Sequence, residues 1–345
     1  MALIPTTILT GFLGAGKTTL LNRILQEDHG LRIAVIENEF GQENIDNEIL
    51  VQDSTEHIVE MNNGCICCTV RGDLIVALSA LAQQRQAGQI AFDRVVIETT
   101  GLANPGPVAQ TFFMDEEVAS LYMLDAIITV VDARHAMTQL DEYEEAQRQV
   151  GFADKLLLSK TDLASADELA VLLPRLKRIN PRAPIVTADF GRTPLAEVLD
   201  IKGFNLNEKL ELDPDFLAAE TEEVHEHGHV HNAHCGHAHD HHHGHHSDDI
   251  AAFVFKSEQA FDSAKLDEFL GGLIDVYGPR MLRYKGVLLM QGADRKVIFQ
   301  GVHQLMGSDI GAKWGENEAR GSKMVFIGKN LPKDIFIRGL VQCLV

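Results

Sequence analysis

The chain is short of positive charge: thirty Lys and Arg stand against fifty Asp and Glu in 345 residues, a formal net charge of −20. Such a surface repels nucleic-acid phosphates and anionic membrane faces at long range, so DNA, RNA and lipid are disfavoured as partners. Cysteine is scarce and odd in number: there are five, and three of them (Cys65, Cys67, Cys68) fall within four positions, where adjacent Cys67 and Cys68 could pair only in a strained ring. Reduced thiols, and with them a cytoplasmic location, are the expectation. No apolar run approaches 18 residues, and Met-Ala-Leu-Ile-Pro carries no basic segment ahead of the first strand, so neither a membrane span nor an export signal is expected. What remains, 45% hydrophobic residues and 28 glycines, is ordinary globular composition at a length that suggests two domains.

From Thr6 to about Phe204, short apolar runs at 6–10, 32–36, 93–97, 126–131, 155–159 and 184–187 alternate with helical patterns. Runs such as Val95-Val96-Ile97 are apolar on both faces, as parallel strands covered by helices are. The expected fold is an α/β P-loop NTPase, a doubly wound and mainly parallel sheet, over residues 1–207. Residues 208–249 break the pattern: eleven acidic side chains against one lysine leave −10 there, and twelve of the sixteen His lie between His225 and His246. With few apolar groups to offset ordering entropy, this stretch reads as a flexible linker. Patterning resumes over 250–345, with apolar runs at 250–255, 281–290, 296–302 and 323–327 and a helical pattern from Ser263 to Val276, which predicts a smaller α+β domain.

Gly11-Phe12-Leu13-Gly14-Ala15-Gly16-Lys17-Thr18 follows a strand and opens a helix, the context a phosphate loop requires. Its glycines, with Ala15 and Thr19, let backbone N–H groups surround phosphate oxygens at a positive helix end. Lys17 would reach the β and γ phosphates, and the Thr18 hydroxyl would ligate Mg²⁺. Glu98-Thr99-Thr100-Gly101 closes another strand: Glu98 either holds Mg²⁺ through water or orients the attacking water, and Gly101 senses the γ phosphate. Asp132, also at a strand end, is the competing carboxylate. Ser159-Lys160-Thr161-Asp162 resembles the base-reading motif of GTPases, in which a carboxylate accepts two hydrogen bonds from guanine where adenine offers no ring N–H. Asp162 therefore selects GTP over ATP.

Three thiols in one turn suit Zn²⁺ or Cu⁺, and a three-thiolate site leaves one tetrahedral position open, which suits transfer more than permanent structure. The alternatives are a purely structural metal, for which the cluster is more compact than the usual paired C-x-x-C site, and a set of buried, inert cysteines. Glu37, in Glu37-Asn38-Glu39-Phe40-Gly41, is either a carboxylate ligand or a solvated strand-end charge, and Asp46 is weaker still. In the linker, His225, His227, His229, His231, His234, His237, His239, His241, His242, His243, His245 and His246 offer imidazoles that suit Zn²⁺, Ni²⁺, Co²⁺ or Cu²⁺. Each must be neutral to ligate, so binding should fail below roughly pH 6.5. A spacer of biased composition is the alternative.

Together the phosphate loop, Glu37 to Gly41, Gly64-Cys65-Ile66-Cys67-Cys68, Glu98 to Gly101, Ser159 to Asp162 and a distal Arg283-Tyr284-Lys285-Gly286 resemble the CobW-type metal-handling GTPases, most nearly their YjiA-like branch. The resemblance implies slow GTP hydrolysis, a metal site at Cys65, Cys67 and Cys68 beside the switch elements, and delivery of metal to a client metalloprotein whose identity it does not carry. Ser159 departs from the Asn commoner in GTPases, which weakens guanine affinity without changing the base read by Asp162. Two other functions fit parts of the sequence: a metal buffer with a secondary phosphate loop, and a P-loop small-molecule kinase. Self-association through the second domain stays open.

Overall fold

A computed structural model of the chain describes residues 3–27, 30–37, 58–60, 69–204, 249–315 and 318–345. Seven strands form a wholly parallel sheet in the order β3-β2-β4-β1-β5-β6-β7: β1 (Ile4–Gly11), β2 (Ile33–Glu37), β3 (Ile58–Glu60), β4 (Arg94–Glu98), β5 (Tyr122–Asp132), β6 (Lys155–Ser159) and β7 (Ile185–Thr187). Helices α1 (Lys17–Gln26), α2 (Thr69–Gln86), α3 (Pro105–Met114), α4 (Glu116–Leu121), α5 (Ala136–Glu142), α6 (Glu144–Phe152) and α7 (Ala166–Ile179) follow strands in the crossover pattern a parallel sheet needs. The doubly wound parallel sheet expected from the apolar runs is present. Strand β3 is an addition to it: three residues carry too little period to be legible.

The sheet's two faces bury separate clusters. One gathers Leu9, Leu20, Leu21, Ile24, Val35 and Leu157. The other runs from Ile8, Ile36 and Ile97 through Val150 and Phe152 into Ile250, Leu282, Val302, Val325 and Ile327 of the C-terminal half, so the two halves share one core across their seam.

The C-terminal sheet is antiparallel, ordered β11-β10-β9-β12-β8, from β8 (Ile250–Ser257), β9 (Met281–Leu288), β10 (Arg295–Val302), β11 (Leu305–Lys313) and β12 (Ser322–Lys329). Helices α8 (Ser263–Tyr277) and α9 (Lys333–Gln342) cover one face through an aromatic cluster of Phe255, Phe261, Tyr284, Phe299, Phe326 and Phe336. This is the expected α+β arrangement with one unexpected member. The edge strand β11 is almost wholly exposed and has no apolar run to announce it. No helix among the described residues is long and apolar enough to cross a membrane.

Candidate active site

β1 delivers residues 11–18 to the carboxyl edge of the parallel sheet. Gly14 and Gly16 hold φ of 73° and 98°, a left-handed backbone that a side chain would strain, and α1 starts on the next residue, Lys17. The Lys17 ammonium folds back over the loop and donates to the Gly11 carbonyl at 3.0 Å. Ala15 is buried beneath the loop, while Thr18 and Thr19 stand exposed in the first turn of α1.

Register places Leu9 of β1 beside Glu98 of β4, so both strands end at one level. The Thr18 hydroxyl donates to Glu98 Oε1 at 3.0 Å, joining the phosphate loop to the strand-end carboxylate. Two hard oxygen donors side by side are what a small divalent cation takes. Beyond Glu98 the chain stays tied to β1: Thr99 N–H donates to the Leu9 carbonyl at 3.0 Å and its hydroxyl to Thr10 Oγ1 at 2.8 Å. Gly101 then lies against the phosphate loop, where a Cβ would fall 2.6 Å from Leu13 N, so only glycine permits this approach. Asp132, the competing carboxylate, is engaged elsewhere. It accepts the Lys160 ammonium at 2.7 Å and sits 3.0 Å from His135 Nδ1. Burial works to raise its carboxyl, but Lys160 and His135 outweigh that and hold it below the ordinary carboxylate value.

The base-reading segment closes the other side. Ser159 ends β6 and its hydroxyl donates to the Ala15 carbonyl at 2.7 Å, which fastens this strand end to the phosphate loop. That contact gives a local reason for a short hydroxyl side chain here. Lys160 is left-handed at φ 57°, and Asp162 is exposed on the 3₁₀ turn Thr161–Leu163.

Three further residues belong to this edge. Asp189, just past β7, accepts the Thr161 N–H at 2.7 Å and its hydroxyl as well. Phe190 beside it is 66% exposed at φ 53°, with the Arg192 guanidinium carbon 5.9 Å from its ring centroid. The strand-end rule that found Glu98 finds Asp189 too if applied after the run at 184–187. Gln149, within α6 and buried, donates to the carbonyls of Gly101 at 3.1 Å and Ala103 at 3.0 Å, and no sequence signal marks a mid-helix glutamine.

Glu37 ends β2 directly beside Glu98 in the ladder, with Glu60 of β3 next in register. Asp46, Cys65, Cys67, Cys68 and the twelve linker histidines lie outside the described residues. Among the described residues no three or more His, Cys, Asp or Glu gather as a metal site.

A strand–loop–helix phosphate cradle, a carboxylate on its threonine and a Lys-x-Asp turn at one sheet edge define a P-loop nucleotide-binding protein. Residues 5–187 match the CobW/HypB/UreG nucleotide-binding domain and residues 250–344 the cobalamin synthesis protein cobW C-terminal domain, and the chain belongs to this family. It is 40% identical to the zinc chaperone YjiA of Escherichia coli (strain K12) over 332 residues, 96% of each chain. It is 34% identical to the zinc chaperone CobW of Pseudomonas aeruginosa, covering 96% of this chain and 89% of that one. The crystal structure of Zn(II)-bound YjiA GTPase from E. coli aligns over 100% of both chains at TM-score 0.78 and 35% identity.

Proposed function

We propose that this protein is a GTP-hydrolysing metallochaperone in which the nucleotide state controls a thiolate metal site, and that its cargo is zinc, with cobalt, nickel and copper as competitors for the same ligands. The GTPase reading is supported by the cradle, by Asp162 at the guanine edge and by the relatives named above, of which one is described as a GTPase and two as zinc chaperones.

One observation carries the coupling. The segment with Cys65, Cys67 and Cys68 connects the carboxyl end of β3 to α2, and β3 lies three strands from β1 in the same parallel sheet. At about 4.8 Å per strand, the carboxyl end of β3 stands roughly 14 Å from that of β1, on the same edge of the sheet. Glu37 and Glu98, neighbours in the ladder, stand between them.

Within this reading Lys17 and the loop N–H groups bind the β and γ phosphates, and Asp162 accepts the guanine ring N–H and amino group. Gly101, already in contact with the loop, answers the γ phosphate. Mg²⁺ would be held by Thr18 and Glu98, and when bound it neutralises charge on the phosphate oxygens. GTP orders the segments that leave β2, β3 and β4, and Cys65, Cys67 and Cys68 then bind the metal tightly. Hydrolysis relaxes them and the ion passes to a client metalloprotein. The linker histidines collect ions near the site, and the C-terminal domain takes part in choosing the client.

By linkage, metal must raise GTP affinity by the factor that GTP raises metal affinity. The test is a competitive zinc titration of the whole protein with a non-hydrolysable GTP analogue, with GDP and without nucleotide, repeated for Cys67→Ala. The expected result is affinity at least about fivefold tighter with the GTP analogue, abolished in Cys67→Ala. Equal affinities in all three states would leave a GTPase without the chaperone mechanism.

A further inference from the structure

The turn that carries Asp162 is held from both of its neighbouring strands. β6 lies between β5 and β7, and its carboxyl end passes into Lys160, Thr161 and Asp162. Lys160 is tied to β5. Asp132, the last residue of that strand and beside Ser159 in the ladder, is 2% exposed, and its Oδ2 accepts the Lys160 ammonium at 2.7 Å. Asp132 is itself fixed, since its Oδ1 accepts the backbone N–H groups of Arg134 at 2.9 Å and His135 at 3.2 Å. Thr161 is tied instead to the segment after β7: Asp189 Oδ1 accepts its N–H at 2.7 Å and Oδ2 accepts its hydroxyl.

Asp189 is seated as closely. The buried Ala188 before it donates its N–H to the Leu158 carbonyl of β6 at 2.8 Å, and a Cβ on Gly191 after it would lie 3.1 Å from the Leu20 Cα of α1. The turn is thus referred to the helix that begins at Lys17. Its backbone needs such support. Lys160 at φ 57° and Phe190 at φ 53° are left-handed without being glycine, one on each side of the contact between Thr161 and Asp189, and such conformations persist only where the surroundings over-determine them. Asp162 is exposed, so the direction of its carboxylate follows from the backbone of the turn. Two hydrogen bonds to one planar base depend on that direction, because each weakens steeply as its angle closes.

We propose that Asp132 and Asp189 are positioning residues for base selectivity. One fixes Lys160 and the other Thr161, so the turn cannot roll about the axis of β6 and Asp162 is aimed at the guanine edge. Both carboxylates act through the turn. The brace rests on the reading of Asp162 as the guanine acceptor.

The test measures the affinities of the full chain for GDP and for inosine diphosphate, which lacks the exocyclic amino group, by calorimetry. Wild type should prefer GDP at least about tenfold, the strength of one hydrogen bond to a carboxylate. Asp162→Ala should abolish that preference, and Asp189→Ala and Asp132→Asn should each lower it at least about threefold. In Asp132→Asn the amide keeps an oxygen for the Arg134 and His135 N–H groups and loses the charge that faces Lys160. A merely structural role would weaken both nucleotides alike and leave their ratio unmoved. The wild-type ratio in either folded variant overturns the brace, and if Asp132→Asn does not fold, Asp189→Ala decides alone. The wild-type ratio in Asp162→Ala overturns the guanine reading, and the brace with it.

Discussion

The nucleotide edge and the seam both gather charged residues, and they use them in opposite ways. At the edge, Thr18, Thr19 and Asp162 stand exposed where strands run out. At the seam, Arg283, Lys285 and Gln300 are each under 9% exposed on one face of a sheet whose other face is aromatic. Their partners belong to the fold: Arg283 takes Asp154, and Gln300 donates to the Phe204 carbonyl at 2.8 Å. Polar and charged side chains therefore face water at the one region and hold two sheets together at the other. Helix α6 belongs to both regions, since Gln149 holds Gly101 at the edge while Gln147 Oε1 accepts the Ile250 N–H at the start of β8.

The strongest way to break the contrast is to strip the seam of its counter-charge. Asp154→Ala leaves the Arg283 cation buried without its carboxylate, and removing one member of a buried pair costs about 3–5 kcal/mol. Denaturant unfolding should show that loss, and hydrogen exchange should accelerate in β9 and β12. GDP affinity should stay within about twofold, because distant sites add independently. A variant of unchanged stability would show that the pair contributes no net docking energy.

At the edge the expected effect is on chemistry instead. In the proposed mechanism Lys17→Ala removes the cation that answers the β and γ phosphates, and loss of one preorganised donor to developing charge should lower hydrolysis by about 10²–10³-fold. Melting of the nucleotide-free protein should move by less than about 4 °C. Hydrolysis within a few-fold of wild type would remove Lys17 from the site.

How far each region was legible follows from the same contrast. The edge is built of residue types at fixed spacings, so Gly11 to Thr18, Glu98 to Gly101 and Ser159 to Asp162 could be read before any fold was known. The seam depends on which face of β9 meets which helix, a long-range fact without local period. Arg283 and Lys285 were visible as a motif, while Asp154, Phe204 and Gln300, their partners across the seam, were not. The prediction of two domains says nothing of the core they share through Phe152, Ile250 and Ile327. Strand β11 escaped for a different reason: its burial is that of a solvated edge, and alternation needs a buried face to show itself.

Gln149→Leu sharpens the comparison by acting on the element common to both regions. It leaves the carbonyls of Gly101 and Ala103 without their donor, which costs about 1–3 kcal/mol where they are shielded from water. Unlike the two variants above, it should move both readouts, lowering stability and weakening the GTP analogue more than GDP, since Gly101 faces the γ phosphate in the proposed mechanism. Equal weakening of both nucleotides would separate α6 from the γ-phosphate response.

The smallest effect is a pH dependence confined to the seam. His303 follows β10 with its ring centroid 5.3 Å from Phe152 and its Nε2 where a Cβ on Gly106 would lie 2.7 Å away. Burial, with the Arg148 cation adding to it, holds its imidazole below the ordinary value of 6.5 in spite of nearby backbone acceptors. A histidine whose folded pKa is depressed is neutral in the native state, so the unfolded chain binds the extra proton first. Its contribution is therefore complete above about pH 6.5 and is lost as pH falls from there through the folded value. One unit below the unfolded pKa the loss can reach at most about 1.4 kcal/mol. Denaturant unfolding of wild type and His303→Phe between about pH 7.5 and 5.5 measures it, since the phenylalanine variant keeps an aromatic against Phe152 but cannot take up the proton. Wild type should lose stability relative to the variant as pH falls, by up to about 1.4 kcal/mol at one unit below the unfolded pKa. Parallel profiles would mean that His303 titrates alike in both states and that the seam, for all its buried charge, is insensitive to protons at this position.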